Sequence, residues 1–257
     1  MALIYWILIF SLLGGVLSVL AASIFLILPD GWRNRLLPHF VSFAIGALLG
    51  AAFLALLPHA LSGPAGIDPH RLGMTILIGI LVFFLLEKLL LWRHCHSDHC
   101  EGHQDHGKPA LASMVIVGDG LHNFVDGILI ASAFITDVEL GIVTALAVAA
   151  HEIPQEIGDF ALLLHSGMSR KRAFFYNIGS SLTTVIGAVL AWYSLSDLQH
   201  ILPYVLVLAA SSFIYIAVAD LIPGLHQRTR LRETLKQLSF ISIGVVVIYI
   251  AHATLHS

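Results

Sequence analysis

The sequence predicts an all-α, polytopic membrane protein with eight transmembrane helices, and three observations carry that prediction. Of 257 residues, 58% are hydrophobic and 11% are charged, with a mean hydropathy of +0.88. A soluble domain has about a quarter of its residues charged. A chain of this make-up cannot cover its surface in water, so lipid is its solvent. Apolar runs broken by Pro, Gly and charge recur eight times, near residues 3–28, 37–61, 72–92, 110–135, 139–165, 172–195, 199–223 and 237–255. Each approaches the roughly 20 residues that a bilayer crossing needs. Finally, the basic residues alternate between loops, which is the mark of a chain threaded back and forth.

The first run begins Met1-Ala-Leu-Ile-Tyr-Trp. It lacks the positive flank of a signal peptide and reads as a retained first span. Arg33 and Arg35 flank the first loop; Lys88, Arg93 and Lys108 the third; Arg170, Lys171 and Arg172 the fifth; Arg228, Arg230, Arg232 and Lys236 the seventh. These are twelve of the thirteen basic residues, and Arg71 alone falls in an even loop. Positive charge stays on the cytoplasmic side. The odd loops are therefore expected in the cytoplasm and both termini outside, in a plasma (inner) membrane. The eight spans make one transmembrane domain, 1–257, with a histidine-rich loop at 94–108 inside it. A net charge of -3 without a large basic patch leaves nothing for nucleic acid. Cys95 and Cys100 are five apart, too close for a useful disulfide, and fit thiols in a reducing compartment. Leu56-Leu57-Pro58-His59 resembles Leu221-Ile222-Pro223-Gly224, a hint of internal duplication of the kind transporters often carry.

The informative residues are the acids inside the spans. Asp119 and Asp126 lie in the fourth, Glu152, Glu156 and Asp159 in the fifth, and Asp220 in the seventh, and none of these spans holds an internal Lys or Arg. One charge at a helix centre costs roughly 2.5–3.5 kcal/mol on insertion scales. Either these groups are protonated or a cation from outside the sequence balances them. Histidine joins them at helical spacing. In His122-Asn123-Phe124-Val125-Asp126-Gly127, His122 and Asp126 share a face and Asn123 sits about 100° round. In His151-Glu152-Ile153-Pro154-Gln155-Glu156, His151 pairs with Gln155 and Glu152 with Glu156. Pro154 leaves the Ala150 carbonyl without its helical donor.

A connection of only a few residues, Thr136-Asp137-Val138, makes the two spans antiparallel neighbours. His122 lies thirteen residues before Ile135 and His151 thirteen after Val138, so both motifs sit roughly 20 Å below one surface. Two polar clusters at equal depth on touching helices make one site. Helix glue of the kind polar residues supply in membranes accounts for a lone His, but poorly for this set. Imidazole with carboxylate and amide oxygen suits Zn2+, Fe2+ or Mn2+, and the absence of Cys and Met from both motifs argues against Cu(I). The loop His94-Cys95-His96-Ser97-Asp98-His99-Cys100-Glu101-Gly102-His103-Gln104-Asp105-His106 has a metal-collecting composition without finger spacing.

These residues resemble the ZIP family of metal transporters. HNFVDG at 122–127 is similar to the family's fourth-helix pattern, and HEIPQE at 151–156 to the fifth-helix pattern of its HExPHE subfamily. LLPHAL at 56–61 and the histidine-rich loop agree. The resemblance implies a homodimeric importer of Zn2+, with Fe2+, Mn2+ or Cd2+ as further cargo, working by alternating access. It implies a transport site at His122, Asn123, Asp126, His151, Glu152 and Gln155, and Glu156 is close enough to join as a ligand. Gln155 departs from the His or Glu usual there, which disfavours a two-metal site. The main rival is an intramembrane zinc hydrolase of the HExxH kind, which Gln155 deprives of its second histidine.

Overall fold

The computed structural model describes residues 2–62, 68–92, 108–226 and 230–255. The histidine-rich segment, His94 to His106, with Cys95 and Cys100, lies outside the described residues. Every described element is helical. In order they are α1 (Leu3–Gly14), α2 (Val16–Ile27), α3 (Asp30–Gly50), α4 (Leu57–Ser62), α5 (Pro69–Trp92), α6 (Lys108–Thr136), α7 (Val138–His165), α8 (Arg170–Leu195), α9 (Leu202–Tyr215), α10 (Ile222–Leu225) and α11 (Leu231–Leu255). Two π-helical segments, Ala51–Leu56 and Ile216–Leu221, join α3 to α4 and α9 to α10.

End to end, these elements form eight rods. Seven are long and apolar enough to cross a membrane. The remaining rod, α7, has 28 residues and a largely buried face, but His151, Glu152, Gln155, Glu156 and Asp159 dilute its hydropathy. The first rod breaks at Gly15 (φ -86, ψ -84), where α1 ends and α2 begins. Both π-helical segments run straight into a proline, Pro58 or Pro223, at the two stretches whose sequences resemble each other. Proline leaves the carbonyl four residues back without a donor, and a wider turn is one way to absorb the defect.

One connection matters most for the site. Asp137 is the whole link between α6 and α7, and it caps α7, its Oδ1 accepting from the amides of Glu139 (2.8 Å) and Leu140 (3.1 Å). A single residue cannot carry the chain away, so the two helices lie antiparallel. α6 packs most extensively against α8. A Cβ on Gly127 would strike the Thr184 carbonyl oxygen, and one on Gly187 would strike that of Phe124. The two backbones touch where neither helix has a side chain, a close approach only glycine allows.

The core is uneven along the bundle. The main apolar cluster, including Leu48, Ala55, Phe134, Val143, Leu206 and Phe213, fills the half holding the α6–α7 link. The opposite half, towards Trp92, Lys108, His165 and Arg170, holds smaller clusters and an open cavity of about 570 Å3.

Candidate metal centre

Four side chains predicted from the sequence converge between α6 and α7. His122 Nε2 lies 3.2 Å from His151 Nε2, 3.6 Å from Asp126 Oδ2 and 3.4 Å from Glu152 Oε1. His151 Nε2 lies 3.2 Å from Asp126 Oδ2 and 3.8 Å from Glu152 Oε1. All four ligand atoms fall within 4.8 Å of one another, a span one ion can bridge. His151 Nδ1 sits 3.1 Å from the Ala147 carbonyl, which holds the ring so that Nε2 faces the cluster. Asp126, His151 and Glu152 are buried, whereas the His122 side chain is 24% exposed, the one member open to the cavity.

The hydrogen-bond inventory points the same way. Both carboxylate oxygens of Asp126 and both of Glu152 are buried without a hydrogen-bond donor. Buried polar groups are normally satisfied, and leaving one bare costs roughly 1–3 kcal/mol, more when charged. No lysine or arginine occurs from Pro109 to Ser169 or from Ala173 to Gln227, so neither α6 beyond its first residue nor α7 supplies a cation. Two imidazoles and two carboxylates form a nitrogen-and-oxygen set suited to borderline divalent ions.

The remaining predicted residues are placed differently. The Asn123 amide is spent on neighbours: Nδ2 donates to Asp119 Oδ1 (2.8 Å) and Oδ1 accepts from Thr184 Oγ1 (2.8 Å). Gln155 lines the cavity beside His122. Glu156 is buried one turn below Glu152, with Oε1 accepting from Ser181 Oγ (2.8 Å), and it groups with Asp119 and Glu152. The Asp119 carboxylate also accepts from Ser180. α7 runs through Pro154 as a continuous helix.

Sequence reasoning missed α8. Ser180, Ser181 and Thr184 put three hydroxyls on the acids and amide of the neighbouring helices, and their spacing along one helix face was the signal available. It also missed that Glu87 and Tyr215 meet at the cavity wall, the Tyr215 hydroxyl donating to Glu87; Asp159 and Asp220, singled out from the sequence, line the same space.

A model of the ZIP zinc transporter family matches residues 91–252, the stretch that holds this centre and most of the bundle. The chain belongs to the ZIP family. Zinc transporter ZIP13 of Pongo abelii is 29% identical over 223 residues, covering 82% of this chain and 65% of that protein. Zinc transporter ZIP4 of Homo sapiens is 31% identical over 257 residues, covering 76% and 39%. The Drosophila melanogaster zinc transporter foi is 43% identical over 114 residues, covering 44% and 16%. The chain thus spans 65% of that ZIP13 and smaller parts of ZIP4 and foi.

Proposed function

We propose that this ZIP protein imports a divalent transition metal, zinc first, into the cytoplasm, and that His122, Asp126, His151 and Glu152 hold it in transit. The observation that carries the reading is the buried set of four converging ligand groups whose carboxylate oxygens have no donor. A bound cation balances them: α6 beyond its first residue and α7 supply no lysine or arginine, and the two imidazoles beside the carboxylates are ligands themselves. Zinc transport by the named relatives supports zinc as cargo, with Fe2+, Mn2+ and Cd2+ next by ligand chemistry. Asn123 serves in this reading by holding Asp119, and Gln155 by lining the way in or out.

α7 is taken as the eighth span of one domain, 1–257, with both termini outside and the segment 94–108 cytoplasmic. In that orientation the cavity opens to the cytoplasm. Its wall residues lie near the cytoplasmic ends of their rods: Leu37 and Val41 in α3, Glu87 in α5, Met114 in α6, Leu162 in α7, Asp220 beyond α9. The packed apolar half closes the outer side, which is the inward-facing end of an alternating-access cycle. A plasma-membrane potential favours inward movement of a divalent ion by about 4.6 kcal/mol per 100 mV, twice the single-charge value. The exposed apolar surface of α5 leaves room for the second copy of a homodimer. A transport site of this kind requires no chemistry on the metal, and the protein is read as a transporter rather than an enzyme.

Uptake of radiolabelled zinc into proteoliposomes tests this directly. Uptake should be saturable, compete with iron, manganese and cadmium, and vanish in Asp126→Ala. Zinc flux undiminished in that variant, or zinc-dependent hydrolysis of lipid or peptide by the purified protein, would sink the proposal.

A further inference from the structure

We propose that the cavity binds an amphipathic ammonium ion, a protonated amine on a compact apolar body, and that this ligand blocks the metal's exit. It rests on the transport reading in one respect: the cavity is taken as the open inner end of the pathway.

The cavity has the size and lining of a small-molecule site. Its volume is about 570 Å3, within the roughly 300–1,000 Å3 of ligand pockets, which are mostly apolar with a few placed polar groups. It exists because α5 packs on α9 and barely meets α6, leaving a gap beside the α6–α7 pair. Leu37, Val41, Phe83, Leu86, Met114 and Leu162 line it. A hydrated metal ion gains nothing from such a lining. An apolar body does, because its surface leaves water.

The charge of the wall selects the other end of the ligand. Glu87, Asp119, Asp159 and Asp220 line the cavity, and no lysine or arginine among the described residues does. A cleft lined by one sign of charge between low-dielectric walls concentrates ions of the opposite sign. Two of these acids are already engaged: Glu87 accepts from the Tyr215 hydroxyl, and Asp119 from Asn123 and Ser180. Asp159, half-buried, and Asp220, exposed at the wall, have no hydrogen-bond donor and no lysine or arginine partner among the described residues. Neither belongs to the four-ligand group. Their carboxylates are the seats for an ammonium group, whose bonds to them are charge-assisted. An anion such as a fatty acid would meet like charge here, and a neutral molecule would leave both seats bare.

The probe is 1-aminoadamantane. Adamantan-1-ol and adamantane-1-carboxylate supply the same body without the positive charge, and methylamine the charge without the body. The full chain carries Cys95→Ser/Cys100→Ser with Met114→Cys or Leu162→Cys, in nanodiscs with a zinc chelator, and the rate of thiol labelling is read. Saturating 1-aminoadamantane should slow labelling at both positions at least tenfold, and the other three compounds should not. Adding Asp159→Asn/Asp220→Asn should raise the half-protecting concentration at least tenfold. Asp220→Asn alone should raise it at least threefold, and is the variant to read should the pair misfold. In proteoliposomes of the chain without these cysteine substitutions, zinc uptake should fall over the same range of amine concentration. Equal protection by the alcohol or by methylamine, or a half-protecting concentration unmoved by Asp220→Asn, overturns the site; protection with zinc uptake intact overturns the block. Thiols that stay unreactive with no ligand present would instead overturn the inward-open reading.

Discussion

Glu152→Gln separates the two roles a buried acid can have, because it should move stability in opposite directions with and without metal. Glu152 is fully buried, with Oε1 3.4 Å from His122 Nε2 and 3.8 Å from His151 Nε2, and neither oxygen has a hydrogen-bond donor. The variant keeps the side chain's size and removes its charge. Without zinc, an unsatisfied buried carboxylate disappears, so the melting temperature in detergent should stay level or rise. With zinc, one partner of a buried charge pair is lost, at a cost of about 3–5 kcal/mol. At about 1.4 kcal/mol per tenfold, that weakens zinc by about two to three and a half orders of magnitude. At a zinc concentration of about 100 times the wild-type Kd, ligand linkage stabilises the wild type by about 2.7 kcal/mol. A variant weakened about a hundredfold keeps only about 0.4 kcal/mol by the same relation. The assay is thermal unfolding of the purified protein in chelator and in that fixed zinc concentration. Zinc held by the histidine-rich segment adds equally to both proteins. An unchanged zinc-induced shift in Glu152→Gln would refute the assignment of this carboxylate to the metal.

Three further outcomes follow from the packing. Thr184→Val removes the donor to Asn123 Oδ1 and strands a buried amide oxygen; the loss should be about 1–3 kcal/mol in unfolding free energy, and a melting temperature equal to wild type would contradict it. Gly127→Ala places a Cβ against the Thr184 carbonyl, whereas a Cβ on Gly179 meets nothing within 4 Å. The first should cost about 1–3 kcal/mol and reduce monodisperse yield on size exclusion, while Gly179→Ala should leave both unchanged. In a Cys95→Ser/Cys100→Ser background, Met114→Cys and Leu162→Cys should react with a membrane-impermeant thiol reagent from the cytoplasmic side, and Ala55→Cys should not. Equal labelling of all three positions would show that the apolar half is no seal.

Much of the arrangement is legible in the residues, and what is not has a common cause. Apolar runs give the rods because lipid demands uninterrupted length, and the short connection around Asp137 puts α6 beside α7 because the chain has nowhere else to go. The break at Gly15 leaves no mark in hydropathy, since both sides are equally apolar, and the Gly14-Gly15 pair was the signal available. The meeting of His122 and His151 follows from equal distances to one turn, an argument internal to two helices. The roles of Asp119 and Asn123 depend on a third helix and cannot be reached that way. Angle alone puts Asp119, three residues before His122, about 60° from it and Asn123 about 100° from it, and neither angle says which side chain is free. The third helix settles their standing: with Thr184 on its oxygen and Asp119 on its nitrogen, the amide of Asn123 is occupied on both atoms, while Asp119 keeps acceptor capacity beside acids with oxygens that have no donor. Periodicity says which way a side chain points; only the hydrogen-bond partners say whether it is free when it gets there.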